Sequence, residues 1–194
     1  MQTIPESLKS LQIEGKAHAV SYLGNGLYSA AFRSEQEPSR VFLLTEQTDS
    51  SYRERDRSKE VLALARTYHN SKHIPAFKLH GIQRIEGARF EVWETKYSKS
   101  ADSSQWEHVT DEATAIASVY PVKVAVIGAM AKELKVSASI VEALQDIERA
   151  AITFGLSADE YQGRHYHFDL HNGNFGLAED GQTLILRDPI TAFF

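Results

Sequence analysis

Residues 167–174 read His-Phe-Asp-Leu-His-Asn-Gly-Asn (HFDLHNGN), and further on an apolar run ends in Leu186-Arg187-Asp188-Pro189. Between them, Asn174 to Ala178 and Thr183 to Arg187 flank Glu-Asp-Gly-Gln, a pattern that predicts a β-hairpin. Such a hairpin brings Asp169, Asn174 and Asp188 toward one point. Three hard oxygen donors in this order suit a phosphate-bound Mg2+ held by Asn174 and Asp188, with Asp169 left to orient a hydroxyl nucleophile. Each residue alone has a plainer role, because Asp, Asn and Gly hydrogen-bond many tight loops. Order and spacing together carry the reading.

Composition narrows the surroundings of that motif. The chain has 194 residues, 42% of them hydrophobic and 24% charged, enough apolar material for one domain or two small lobes. It has no cysteine, which removes disulfides, thiolate metal sites and cysteine nucleophiles together. A formal net charge of −5 predicts no broad attraction to nucleic acid or anionic lipid. Residues 1–14 lack the basic start and apolar core of a signal peptide. The apolar run from Val119 to Ala131 is interrupted by Pro121 and Lys123 and is too short to span a bilayer. The expectation is a soluble, intracellular protein without membrane or direct nucleic-acid contacts.

Upstream, the first half reads as strands. Ala19 to Leu23, Leu27 to Arg33 and Arg40 to Thr45 predict three antiparallel strands. A helix follows over Glu60 to Tyr68, then Phe77 to Ile82 and Ala88 to Glu94 predict two more strands around Ile-Glu-Gly. The small polar segment 97–104 predicts a linker. Beyond it, Asp111 to Val119, Val122 to Leu134 and Ser139 to Ala151 predict helices, the last opened by a Ser139/Glu142 capping box and closed at Gly155. The expected fold class is α+β with two lobes: residues 1–97 as an antiparallel sheet with one helix, and 98–194 as a reduced, largely helical lobe.

Near the start, Leu23-Gly24-Asn25-Gly26-Leu27-Tyr28-Ser29 places glycines between two strands. Backbone N–H groups there can approach phosphate oxygens, as a lid over a nucleotide rather than a strand-to-helix dinucleotide site.

On these motifs, with RVFLL as the third strand, HIPAF after the helix, FDLHNGNF and LRDPI, the chain resembles the protein-kinase-like fold. Within that fold it is similar to the small early serine/threonine protein kinases of lytic short-tailed coliphages, from about Leu23 onward. The resemblance implies ATP and Mg2+ as cofactors, host bacterial proteins as substrates or targets, and action in the host cell cytoplasm. It implies Asp169 as catalytic base and Asn174 and Asp188 as magnesium ligands. Gly24, Asn25, Gly26 and Ser29 would cover the nucleotide, and Glu94 to Lys96 would form the hinge against adenine.

Three departures accompany the resemblance. Leu43 stands where the pattern places a phosphate-binding lysine, so Arg33, Arg40 or Lys78 would have to substitute. Glu60 fits the helix glutamate that pairs with such a lysine, or it is a solvated carboxylate. Asp188-Pro-Ile replaces Asp-Phe-Gly with six residues following, which predicts no activation segment. Three other readings stay open. One is a catalytically impaired kinase-like protein that binds and inhibits a host factor. Another is a small-molecule phosphotransferase. The third is a metal-dependent enzyme built on the alternating His165, His167, Asp169 and His171.

Overall fold

The tripeptide Ile-Glu-Gly stands at 13–15 and again at 85–87, and in both copies Glu and Gly take left-handed backbone: φ is 52° and 78° at Glu14 and Gly15, 49° and 89° at Glu86 and Gly87. Two successive positive φ values match the twist of a tight hairpin. The first turn joins β1 (Ser10–Ile13) to β2 (Lys16–Asn25), and the second joins β5 (Lys78–Ile85) to β6 (Ala88–Lys96). The structure is a computed structural model that describes residues 6–25, 29–47, 57–100, 107–117, 127–128, 133–158 and 164–193. It divides into two compact units, Met1–Arg55 with Phe77–Tyr97, and Asp56–Ala76 with Ser98–Phe194. Among the described residues no helix is long and apolar enough to cross a membrane.

The first unit is an antiparallel sheet of six strands in the order β1-β2-β3-β4-β6-β5, with β3 at Ser29–Ser34 and β4 at Arg40–Glu46. Five strands are expected from the sequence; β1 is the sixth. The register sets Phe32 opposite both Tyr22 and Phe42, and Phe42 opposite Glu94. Side chains opposite one another share a face, and this face is the core: Leu11, Ile13, Val20, Ala30, Phe32, Phe42, Leu44, Phe90 and Val92 are buried together. Bulges at Tyr22/Gly24 and Leu79/Ile82, the second containing Gly81 at φ 103°, bend the sheet. The sheet curls until its edge strands meet. Gln12 N–H donates to Gln83 Oε1 at 3.1 Å, and Gln83 Nε2 donates back to the Gln12 carbonyl. One side-chain amide thus stands in for a paired strand and covers two edges.

The second unit holds α1 (Ser58–His69), α2 (Glu107–Ala117) and α3 (Ala138–Thr153). Two small sheets accompany them, β10-β9-β7 and β11-β8. Their strands are β7 (Lys99–Ser100), β8 (His165–Phe168), β9 (Phe175–Leu177), β10 (Leu184–Leu186) and β11 (Ile190–Phe193). Two expectations, the placement of the first helix and the character of the linker, are corrected here. The helix expected with the first-lobe sheet belongs to the second unit, where α1 packs on α3. Among the described residues the second unit is mainly helical, as expected, with five short strands beside its three helices. The linker segment is partly strand, because Lys99 and Ser100 pair with Leu177 and Gly176. Of the predicted helix Val122 to Leu134, only 127–128 and 133–134 lie within the described residues.

On α3, Ile140, Leu144, Ile147 and Ala151 form the buried stripe that their spacing predicts. Its end is a Schellman motif: Gly155 at φ 75° donates to the Ile152 carbonyl and Leu156 N–H reaches Ala151. Its start differs from the expected capping box. Ser137 holds the N-cap position with no side-chain cap bond, and the Ser139 hydroxyl instead meets His73 Nε2 at 2.9 Å. A buried imidazole needs that partner more than an exposed helix end does. His73 also bonds the Leu184 carbonyl through Nδ1 at 2.7 Å, and its own carbonyl accepts from Leu186 N–H. This one residue of HIPAF therefore ties the loop after α1 to β10 and α3.

Candidate functional site

Strand β8 alternates buried Tyr166 and Phe168 with His165 and His167, and pairs with β11 so that Phe168 lies opposite Ile190. The ladder stops there. Asp169 N–H donates to the Pro189 carbonyl at 2.9 Å, and the chain then turns through a short 3-10 helix, Asn172–Asn174. Asn174 Nδ2 donates to the Asp169 carbonyl at 2.8 Å, and Arg187 N–H donates to the Asn174 carbonyl at 2.8 Å. The residues on either side of Asp188 are thus bonded to Asn174 and Asp169. The three residues that the motif singles out converge through their backbone, with both Asp side chains partly buried. Because the Asn174 amide nitrogen is committed to a carbonyl, its oxygen Oδ1 is the end left to meet a cation.

The hairpin that returns Asp188 is built as its sequence predicts. Asp180 accepts from Gln182 N–H, Thr183 N–H and Thr183 Oγ1–H, and these bonds bring its carboxyl down to about 2. Gly176 in β9 has a specific reason to be glycine: an added Cβ would lie 2.4 Å from Arg187 Nε and 2.7 Å from Ser98 Oγ. The Arg187 side chain crosses at this point to bond the Ser98 hydroxyl at 2.7 Å and the Ser98 carbonyl.

The alternating histidines do not form the single face that a continuous strand would give. His165 and His167 lie in β8 with rings stacked at 6.5 Å, whereas Asp169 and His171 follow the strand's end. Among the described residues no group of three or more His, Asp or Glu is arranged to hold a metal ion.

In the first unit, β2 ends at Asn25 and β3 begins at Ser29, so the glycine-rich segment joins two paired strands. Gly26 lies outside the described residues. Gly24 pairs with Ala31 and Asn25 with Ala30; the Asn25 side chain accepts from the Tyr22 hydroxyl at 2.8 Å, and Ser29 sits opposite Thr45. Glu94 does not occupy a free connection. It lies inside the sheet between Phe42 and Lys78, where the ladder uses its backbone. Its carboxylate takes Arg40 Nε at 3.0 Å, Arg40 Nη2 at 2.7 Å and His80 Nε2 at 2.6 Å. Burial pushes that carboxyl up, but the bonds from Arg40 and His80 outweigh it and leave it below its usual range. Strand β5 begins level with Glu94, so only Thr95 and Lys96 extend past it along that edge of β6.

Leu43 points to the face opposite the core, in a row with Ala31, Trp93 and Leu79. The basic residues named as its substitutes are engaged elsewhere. Arg33 bonds the Pro38 carbonyl and lies 4.2 Å over the Tyr97 ring, Arg40 is paired with Glu94 and Glu37, and Lys78 is paired with Glu14 at 2.6 Å. The charged residue beside Leu43's row is an acid. Glu91, opposite Thr45, is buried and accepts from Gln47 Nε2 at 2.7 Å and Trp93 Nε1 at 3.0 Å. Glu60, in the second unit, pairs with Arg57 at 3.0 Å in the first turn of α1.

Sequence reasoning passes over His171 as a partner of Asp169, although the motif contains it; its Nε2 is 3.6 Å from Asp169 Oδ2. The signal is a histidine two residues past the acid and two before a glycine.

No protein-family model matches the chain, and no curated protein sequence matches it. A solved structure of spectinomycin phosphotransferase in complex with ADP and spectinomycin is similar at 12% identity and a TM-score of 0.38, over 90% of this chain and 65% of that one.

Proposed function

We propose that the chain is a phosphotransferase of protein-kinase-like fold that moves the γ-phosphoryl group of ATP to a hydroxyl. The observation that carries this reading is the backbone convergence in the second unit: Pro189 bonded to Asp169 and Arg187 to Asn174, with Asp188 between them. In this reading Asn174 Oδ1 and the Asp188 carboxylate hold Mg2+, which when bound would neutralise phosphate charge. Asp169 accepts the proton of the acceptor hydroxyl as its oxygen attacks phosphorus, and ADP leaves with the bridging oxygen's electrons. Gly24, Asn25, Gly26 and Ser29 remain the residues proposed for the nucleotide's phosphates, and Thr95 and Lys96, rather than Glu94, those proposed for its adenine. The narrower reading takes serine and threonine hydroxyls of host bacterial proteins as acceptors, in the host cytoplasm, as in the coliphage kinases that the sequence resembles.

The test is transfer from γ-labelled ATP with Mg2+ to a bacterial lysate and to the chain itself, comparing wild type with Asp169→Ala and Asp188→Ala. The expected result is labelling by wild type alone and loss of Mg2+-dependent nucleotide binding in Asp188→Ala. Equal labelling in all three, or unchanged nucleotide affinity in Asp188→Ala, overturns the reading.

A second reading is favoured by the surroundings of Leu43: the lysine is replaced, its three candidate substitutes are occupied, and Glu91 is an acid. It holds that the chain binds and inhibits a host factor without turnover. Co-purification of a host protein equally by wild type and Asp169→Ala, with no labelling by either, decides for it.

A further inference from the structure

We propose that His171 is a positioning residue that holds the Asp169 carboxylate in one orientation, a role that rests on the phosphotransfer reading above. His171 Nδ1 accepts the Gly173 N–H at 3.1 Å. A neutral imidazole that accepts at Nδ1 carries its proton on Nε2, and Nε2 is the atom 3.6 Å from Asp169 Oδ2. The ring is therefore anchored at one nitrogen and presents an N–H to the carboxylate from the other. This arrangement also leaves neither nitrogen with a lone pair for a metal, which separates His171 from the metal-enzyme reading.

Gly173 makes room for the ring. An ideal Cβ at that position would come within 2.9 Å of His171 Cε1 and 3.1 Å of Nδ1. The backbone is pinned on both sides of the ring, by Asp169 N–H on the Pro189 carbonyl and by Asn174 N–H on the His171 carbonyl at 2.9 Å. With Oδ2 facing His171, Oδ1 is the oxygen presented to an incoming hydroxyl, and the carboxylate cannot swing without leaving the imidazole. Holding a base in the geometry of attack is the kind of contribution that lowers turnover, not nucleotide affinity, when it is lost.

The experiment compares wild type with His171→Ala, His171→Gln and Gly173→Ala in kcat, nucleotide affinity and melting temperature, and reads the His171 tautomer by 15N NMR of the ring in wild type. The expected result is a fall in kcat of roughly ten- to a hundredfold in His171→Ala and Gly173→Ala, with nucleotide affinity unchanged. His171→Gln, whose amide can place an N–H near the Nε2 position, recovers most of it, and the ring carries its proton on Nε2. Unchanged kcat in His171→Ala overturns the proposal while phosphotransfer stands. Equal losses in His171→Ala and His171→Gln overturn it too, since the ring would then only fill space. A proton on Nδ1 overturns it whether or not the protein turns over. A wild type without transfer overturns the phosphotransfer reading and this role with it.

Discussion

Arg40 and Glu94 in the sheet, and Asp169 and Asn174 near the C-terminal hairpin, are all partly buried polar residues, yet opposite means fix them. Arg40 and Glu94 satisfy each other, side chain to side chain, together with His80 and Glu37. Asp169 and Asn174 are located by main-chain bonds to Pro189 and Arg187. Groups that satisfy each other have nothing left to offer a ligand, whereas Asp169, located by its backbone, keeps Oδ1 for one while Oδ2 faces His171. The comparison explains why the candidate chemistry gathers in the second unit.

The comparison can be broken from either side. The largest effect is expected from Phe42→Ala, which empties the centre of the closed sheet where Phe42 is fully buried; a loss of about 3–5 kcal/mol should appear in chemical denaturation. Gly176→Ala strikes the second unit by driving a methyl group into the Arg187 guanidinium. A loss of about 2–3 kcal/mol is expected, with much of it recovered in the Gly176→Ala, Arg187→Ala double variant.

Glu94→Gln sharpens the contrast. Removing the charge opposite Arg40 should lower stability by about 1.5–2 kcal/mol at neutral pH. Because the folded carboxyl lies below the unfolded value of 4.5, this contribution is present above that pH and is lost as pH falls through the folded value. The wild-type advantage over Glu94→Gln should therefore shrink on acidification. The smallest effect belongs to His73, whose burial lowers its pKa from 6.5. Below pH 6.5 the unfolded chain takes up a proton that the folded chain resists, so stability falls from pH 7 toward 5. That slope should flatten in His73→Gln, measured by melting temperature against pH.

Most of the sheet was legible because its strands alternate or run apolar between clear turns, as in Arg40 to Thr45 and Ala88 to Glu94. Strand β1 was not, since Ser-Leu-Gln-Ile offers only two apolar positions; the tripeptide that follows it, identical to the turn at 85–87, was the available clue. Strand β11 was hidden because four residues after a proline carry too little pattern to distinguish strand from loop. The Ser139/Glu142 spacing misled because a capping box is a local rule, and the demand of buried His73 for a hydroxyl is a tertiary one. At the candidate site, residue types and spacing pointed to the three oxygens. The bonds that join them cross from 169 to 189 and from 174 to 187, and no local pattern encodes those.

The meeting of β1 and β5 has a dynamic consequence. A ladder distributes its strength over many rungs, whereas here two rungs come from a single side chain, Gln83. The seam can part there by rotation of one amide, with Phe32 and Phe42 still enclosed. In deuterated solvent the Gln12 amide proton should thus exchange early, well ahead of those at the middle of β4.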